Sequence, residues 1–138
     1  MQRFMAFLAS QSGIAYLLLR LMMAEILIVA GYRKIFVFGL GAIAGNFEKY
    51  GIPLPQVMGP FIGLLEFFGG IMLAAGLFTR YLGVLFTCEF IVAAWAKWIP
   101  IGEGYAGARL DTMLIVTALV LATQGAGPIS VDAKMGRG

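Results

Sequence analysis

Charged side chains inside long apolar stretches are the residues of this chain best suited to chemistry. The stretch "FIGLLEFFGGIMLAAGLF", residues 61–78, contains a single charged residue, Glu66. Among the charged residues of these stretches we single out six: Arg20, Glu25, Lys34, Glu66, Glu89 and Asp111. Burying a charge costs free energy unless it is paired, so such residues form ion pairs or line a ligand site. We take the six as a candidate ligand-binding or structural polar cluster, with no catalytic residue identified.

The depths of these residues along their helices predict two ion pairs. At about 1.5 Å per residue, Arg20 lies about 9 Å, Glu89 about 13 Å and Glu66 about 20 Å from the surface on the side of the termini. In depth, Arg20 is nearest to Glu89, and Lys34 is nearest to Glu66. We therefore predict the pairs Arg20–Glu89 and Lys34–Glu66, and no cation for Glu25.

Small residues share the helix faces of three of the acids. At helical spacing, small residues align with Glu66, Glu89 and Asp111 in three sets: Gly59, Gly63 and Gly70; Ala93 and Ala96; Ala118, Ala122 and Gly125. Small residues mark close helix packing in membranes, so these acids should point into a bundle. The cluster could serve only to fix the helix register. Acids outnumber cations near the midplane, however, and an unpaired carboxyl in low dielectric can hold a proton or a polar ligand.

The composition indicates which kind of fold must position these residues. Of 138 residues, 61% are hydrophobic and 12% are charged, against about 25% charged in soluble domains. A membrane span needs about 20 apolar residues. We predict one domain over residues 1–138, an all-α membrane protein with a four-helix antiparallel bundle, whose spans are about 14–38, 56–78, 81–99 and 110–123. Phe4, Phe7 and Leu8 at helical spacing add a short N-terminal interfacial helix.

The connections between spans differ in length and composition. The glycine-rich segment 39–56 should be extended toward its prolines, with one amphipathic turn at 46–50. The turn at 79–80 is so short that the second and third spans should be antiparallel neighbours. The segment "PIGEGYAGAR", residues 100–109, should be a flexible loop.

The absence of certain residue types limits the chemistry of this chain. It has no histidine and one cysteine, Cys88. Histidine-ligated haem, a histidine metal site, an internal disulfide and a Cys-x-x-Cys pair are therefore excluded, and we expect no metal. Redox chemistry would need an organic cofactor such as a quinone, or a partner subunit. We expect Cys88 to be a small core residue. No basic cluster indicates nucleic acid, so lipid is the expected surrounding partner.

Five segments of the chain resemble the DoxX family of small four-helix membrane proteins. They are "LLLR" at 17–20, "AGYRK" at 30–34, "GIPLP" at 51–55, "EFFGGIMLAAGLFTR" at 66–80 and "GAGPISVD" at 125–132. The resemblance aligns four residues with family positions, namely Arg20, Lys34, Glu66 and the tail residue Asp132. Many relatives have a histidine near the end of the third span, where this chain reads "AAWAKWIP". Any role that this histidine has in those relatives cannot be carried over to this chain.

The resemblance implies a function as part of a larger assembly. Some relatives are membrane subunits of a thiosulfate:quinone oxidoreductase, and others belong to oxidative-stress, sulfur-transfer or export assemblies. We therefore expect an accessory subunit of an oxidoreductase or electron-transfer complex, not catalytic alone, whose cluster binds a quinone-like or polar ligand or docks partner helices. The alternative is a non-catalytic scaffold or chaperone for membrane proteins. A proton-relay transporter is a weaker option, because no span is broken.

The same resemblance places the chain in the bacterial inner membrane. An even number of spans puts both termini on one side. The lysines and arginines are almost equally divided between the two sides, so the positive-inside rule does not orient the chain. We expect the termini in the cytoplasm.

Overall fold

The computed structural model describes residues 1–136, which form helices and no strand. The elements are α1 (Gln2–Ser10), α2 (Ser12–Tyr32), a π-helical segment (Arg33–Phe38), α3 (Leu40–Lys49), α4 (Pro55–Ala75), α5 (Thr79–Trp98), α6 (Gly104–Gln124) and α7 (Val131–Lys134). By length and hydropathy, four of the described helices can cross a membrane: Ser12–Phe38, Pro55–Ala75, Thr79–Trp98 and Gly104–Gln124. The predicted all-helical fold with four spans and a short N-terminal helix is confirmed.

Local sequence signals explain where α4 begins and ends. Pro55 occupies the first turn, where its missing N–H and fixed φ cost nothing. Gly76 ends the helix in the left-handed region at φ 74°, a conformation that glycine adopts without strain. Only residues 76–78 separate α4 from α5, so the two helices must run in opposite directions.

The glycine-rich segment after the first span contains more helix than predicted. Instead of one turn at 46–50, α3 runs for 10 residues. Tertiary contact overrides the low helix propensity of its glycines. A Cβ on Gly59 of α4 would lie 2.8 Å from Ala44 Cα, so the missing side chain allows α3 to press against α4. The predicted loop 100–109 is also partly wrong, because α6 already begins at Gly104.

The long helices pack as two pairs. α2 lies along α4, and α5 lies along α6, while contacts between the pairs are sparse. Glycines permit both close approaches: a Cβ on Gly31 would lie 2.4 Å from Phe67 N, and one on Gly83 would lie 2.6 Å from Ala122 N. This agrees with the expected role of small residues. The predicted neighbours α4 and α5 meet at Gly69, whose Cβ would lie 2.9 Å from the Phe86 ring.

Candidate functional site

A cavity of about 420 Å³ lies where the two helix pairs face each other. Its walls are mostly apolar side chains of α2, α4, α5 and α6, with Tyr50 and Ile52 from the segment after α3. Five charged residues also line it: Lys34, Glu66, Glu89, Lys97 and Asp111. Small-molecule sites typically have about 300–1,000 Å³ of space, apolar walls and a few convergent polar groups. The cavity has the size and the lining of a ligand site.

Lys34 and Glu66 form a close ion pair in this cavity. The Lys34 Nζ atom lies 2.6 Å from Glu66 Oε2 and 2.7 Å from Oε1. The Glu66 side chain is only 4% exposed, and that of Lys34 is 25% exposed. Lys34 lies in the π-helical segment, a deviation from α-helix that is frequent at functional sites. The predicted Lys34–Glu66 pair is confirmed.

Glu89 faces the same pair from α5 without a cation of its own. Its carboxyl is close enough to Glu66, Lys34 and Asp111 for electrostatic interaction. Glu89 is 9% exposed, and among residues 1–136 its carboxyl oxygens accept no hydrogen bond from an N–H donor and lie beside the Glu66 carboxyl, with which a protonated Glu89 can share a hydrogen bond. A buried polar group without a partner is costly, and in native proteins it calls for a functional or solvent explanation. Glu89 is therefore the side chain in this cavity most available to a ligand.

A second ion pair joins α5 to α6 at the edge of the cavity. The Lys97 Nζ atom lies 2.8 Å from Asp111 Oδ2, with Asp111 nearly buried and Lys97 38% exposed. The sequence argument did not include Lys97. Its spacing contained a signal, because Lys97 follows Ala93 by four residues and Glu89 by eight, close to the same helix face.

Arg20 does not pair with Glu89, so that prediction is wrong. Its guanidinium donates to three main-chain carbonyls, those of Ala126, Ile129 and Ala74. Arg20 is 2% exposed, and its partners are the tail and the end of α4. Matching charges by depth considered only side chains, and main-chain carbonyls can satisfy a guanidinium equally well.

The tail aspartate closes the same end of the molecule. Asp132 accepts hydrogen bonds from Phe78 N and Thr79 N, both at 2.9 Å, and its own N–H donates to Gly76 O at 3.0 Å. A carboxylate there satisfies the free N–H groups at the start of α5 and complements the helix dipole. Tyr16 adds a hydrogen bond from its hydroxyl to Gly125 O. We call residues 125–132 with Tyr16, Arg20 and the 76–79 turn the tail clasp.

Two residues of the sequence argument lie outside the expected surroundings. Glu25 is exposed on α2 and is not part of the cavity lining. It lies at the centre of the span Ser12–Phe38. Cys88 is exposed and lines the cavity, so its assignment to the core is wrong. Of the six predicted cluster residues, the structure brings four together at the cavity: Lys34, Glu66, Glu89 and Asp111.

The helices and the cavity define a multi-pass helical membrane protein with an intramembrane charged pocket. Residues 15–98 match the family model DoxX, and the chain belongs to the DoxX family. It is 31% identical over 121 residues to a protein of Bacillus subtilis (strain 168) named "Putative oxidoreductase CatD". That alignment covers 86% of this chain and 85% of the relative. No solved structure matches the chain significantly.

Proposed function

We propose that this protein is an accessory subunit of an oxidoreductase or electron-transfer complex, and that its cavity binds a quinone-like ligand. The observation that carries the proposal is the buried Glu89 carboxyl, which faces a cavity of about 420 Å³ and has the Glu66 carboxyl beside it but no ion pair and no N–H donor among residues 1–136. The name of the Bacillus subtilis relative supports the oxidoreductase part.

The residues of the cavity fit a ring with carbonyl or hydroxyl oxygens. The apolar side chains exclude water from the ring, and the Glu89 carboxyl can donate or accept a hydrogen bond according to its protonation. Lys34 keeps Glu66 in place by a bidentate contact and can donate a further hydrogen bond, because an ammonium has three N–H groups. A bound quinone would accept two electrons and two protons and become a quinol. Glu89 would hold and deliver a proton at its carboxyl oxygens.

The position of Glu25 supports the role of a subunit. This carboxylate is exposed at the centre of a span of 27 residues. Charged residues at the middle of a membrane rarely face lipid, and they usually pair with another group. A partner helix with a hydrogen-bond donor at that depth would satisfy Glu25. The lack of histidine and of paired cysteines in the chain also favours a partner that delivers the electrons.

One observation favours the alternative of a non-catalytic scaffold or chaperone. Both ion pairs of the cavity join different elements: Lys34–Glu66 joins the first span to α4, and Lys97–Asp111 joins α5 to α6. Pairs of this kind can serve only to fix helix positions. They leave Glu89 unexplained, and for that reason we prefer the ligand-binding function.

Ligand binding by purified protein in lipid nanodiscs tests the proposal. The probe is a fully substituted 1,4-benzoquinone with a decyl chain, and binding is measured by quenching of tryptophan fluorescence. We expect Glu89→Gln to weaken binding at least tenfold with little change in thermal stability, while the control Glu48→Gln, at an exposed position of α3, binds normally. If the wild-type protein does not bind the probe, the quinone proposal is wrong. If the amount of partner protein recovered with each variant follows only the thermal stability of that variant, the result supports the scaffold.

We also propose that the protein resides in the bacterial inner membrane with both termini in the cytoplasm. A Ser10→Cys substitution in a Cys88→Ser background provides a single thiol next to the start of the first span. An impermeant maleimide should label it in inverted membrane vesicles and not in intact cells. Labelling in intact cells would show that the termini lie on the opposite side of the membrane, outside the cytoplasm.

A further inference from the structure

Exposed residues of the cavity lining lie along one stripe of α5, on the facing side of α4, and at Ile101 and Leu110 near the start of α6. Leu85, Cys88 and Val92 follow each other at helical spacing on α5, line the cavity and are exposed. Phe61 of α4 also lines the cavity and is 45% exposed. The cavity residues of α2, including Leu27, are buried or half-buried. The cavity is therefore open between α4 and α5, is also exposed next to Ile101 and Leu110, and is covered on the side of α2.

The packing of the helices explains this opening. Near their connecting turn, α4 and α5 touch at Gly69 and Phe86. Farther from the turn, residues of both helices line the cavity and no close packing of α4 on α5 is present within residues 1–136. The exposed stripe lies in the middle of a span, at the depth of the hydrocarbon. An opening at that depth faces lipid tails and not water.

We infer that the ligand is an amphiphile that enters from the bilayer between α4 and α5, with an uncharged polar head group beside Glu89 and an apolar tail along the stripe of Leu85, Cys88 and Val92. This inference rests on the proposed ligand-binding function and names the class of ligand.

The charges of the cavity favour an uncharged head group. Each lysine of the lining already has a carboxylate at 2.8 Å or less, Lys34 with Glu66 and Lys97 with Asp111. An anionic head group would meet three acids and no unpaired cation of the lining. A cationic head group would lie close to Lys34, which interacts with Glu89 as well. A neutral group with oxygen atoms can use the free hydrogen-bonding capacity of Glu89 without either conflict.

A pair of tryptophan substitutions tests the route. Val92→Trp fills the opening, whereas Ile91→Trp places the same bulk on a neighbouring position of α5 that is similarly exposed and does not line the cavity. Two probes with the same fully substituted benzoquinone ring are compared, one with a decyl chain and one with a methyl group. Decyltrimethylammonium serves as a tailed cation. Binding is measured by equilibrium dialysis in detergent micelles, because new tryptophans would disturb a fluorescence assay.

We expect the decyl compound to bind at least tenfold more tightly than the methyl compound and the tailed cation. We expect Val92→Trp to weaken its binding at least tenfold and Ile91→Trp to change it less than twofold. Equal binding of the two quinones, with no effect of Val92→Trp, would overturn the inference and leave the proposed quinone function intact. Tighter binding of the tailed cation than of the decyl quinone would contradict the claim that the head group of the ligand is uncharged. Loss of all binding in the wild-type protein would instead contradict the proposed function itself.

The single cysteine gives an independent test of the opening. A nitroxide label on Cys88 in lipid vesicles should be broadened by oxygen, which concentrates in the hydrocarbon, and hardly by a water-soluble nickel complex. The decyl compound should reduce the contact with oxygen by occupying the groove. A label that meets the nickel complex more readily than oxygen would show that the cavity opens to water, contrary to the inference.

Discussion

At the end of the bundle that holds the tail, buried polar side chains bind main-chain groups of other segments, whereas in the cavity they bind one another or have no partner. Arg20 and Asp132 are both nearly buried and make hydrogen bonds to backbone atoms. Glu66 is paired with Lys34, whereas Glu89 is also buried and has only the Glu66 carboxyl beside it, with no N–H donor among residues 1–136.

This difference separates structural from functional use of buried charge. In the tail clasp, fixed backbone atoms bind the Asp132 carboxylate and both terminal nitrogens of Arg20, although Arg20 Nε and Thr79 Oγ1 have no partner among residues 1–136. Such bonds between distant segments stabilise the fold. A carboxyl that lies in a cavity without a partner lowers stability, and such sites in native proteins are commonly functional. Replacing a buried polar side chain by an apolar one should therefore lower the free energy of unfolding in the tail clasp and raise it at Glu89 in the cavity.

The largest effect is expected for Arg20→Met. It removes the charge-assisted hydrogen bonds to Ala126, Ile129 and Ala74 and leaves carbonyls buried without donors. We expect a loss of about 3 kcal/mol in the free energy of unfolding, measured by denaturation with SDS in mixed micelles. Arg3→Met, at an exposed position of α1, is the control. A stability equal to that of the control would contradict the structural role of Arg20.

Asp132→Ala should have the next largest effect. It removes the two hydrogen bonds to the first N–H groups of α5. The loss of such a cap costs about 1–2 kcal/mol. The same SDS titration measures it, and hydrogen exchange of the Phe78 and Thr79 amides should accelerate. Unchanged exchange there would show that Asp132 does not cap α5 in the membrane.

Glu89→Leu should change stability in the opposite direction. It replaces a buried carboxyl that has no ion pair and no N–H donor among residues 1–136 by an apolar side chain of similar size. We expect unfolding to become less favourable by about 1 kcal/mol, while binding of the decyl quinone is lost. Destabilisation by Glu89→Leu would mean that Glu89 contributes to the fold, and the contrast between the two regions would no longer hold.

The smallest effect is expected for Glu25→Gln. Glu25 is exposed and does not line the cavity. We expect stability of the isolated protein within about 0.5 kcal/mol of wild type and unchanged quinone binding. Only recovery of a partner protein should decrease. Weakened quinone binding would show that Glu25 reaches the cavity in the membrane.

The sequence predicted those features that depend on local pattern or on charge along neighbouring spans. Hydropathy revealed the four spans, and the depth of two side chains was sufficient for Lys34–Glu66. It could not predict the partners of Arg20, which are main-chain carbonyls up to 109 positions away. Helical spacing already placed Glu25 about 140° from Arg20, but Arg20 does not line the cavity either, so that angle did not predict that Glu25 lies outside it. The extent of α3 depends on contact with Gly59, which no local signal contains.

The tail clasp also determines when the protein can finish folding. Tyr16 and Arg20 lie in the first span, but their partners Gly125 and Ala126 are synthesised more than 100 residues later. Until then, the guanidinium lacks two of its three acceptors, and α5 lacks its cap. Contacts of such long sequence separation form late and slow folding. A ribosome stalled before residue 125 should therefore hold a chain that is inserted but still sensitive to proteases, and release of the tail should complete the protected state.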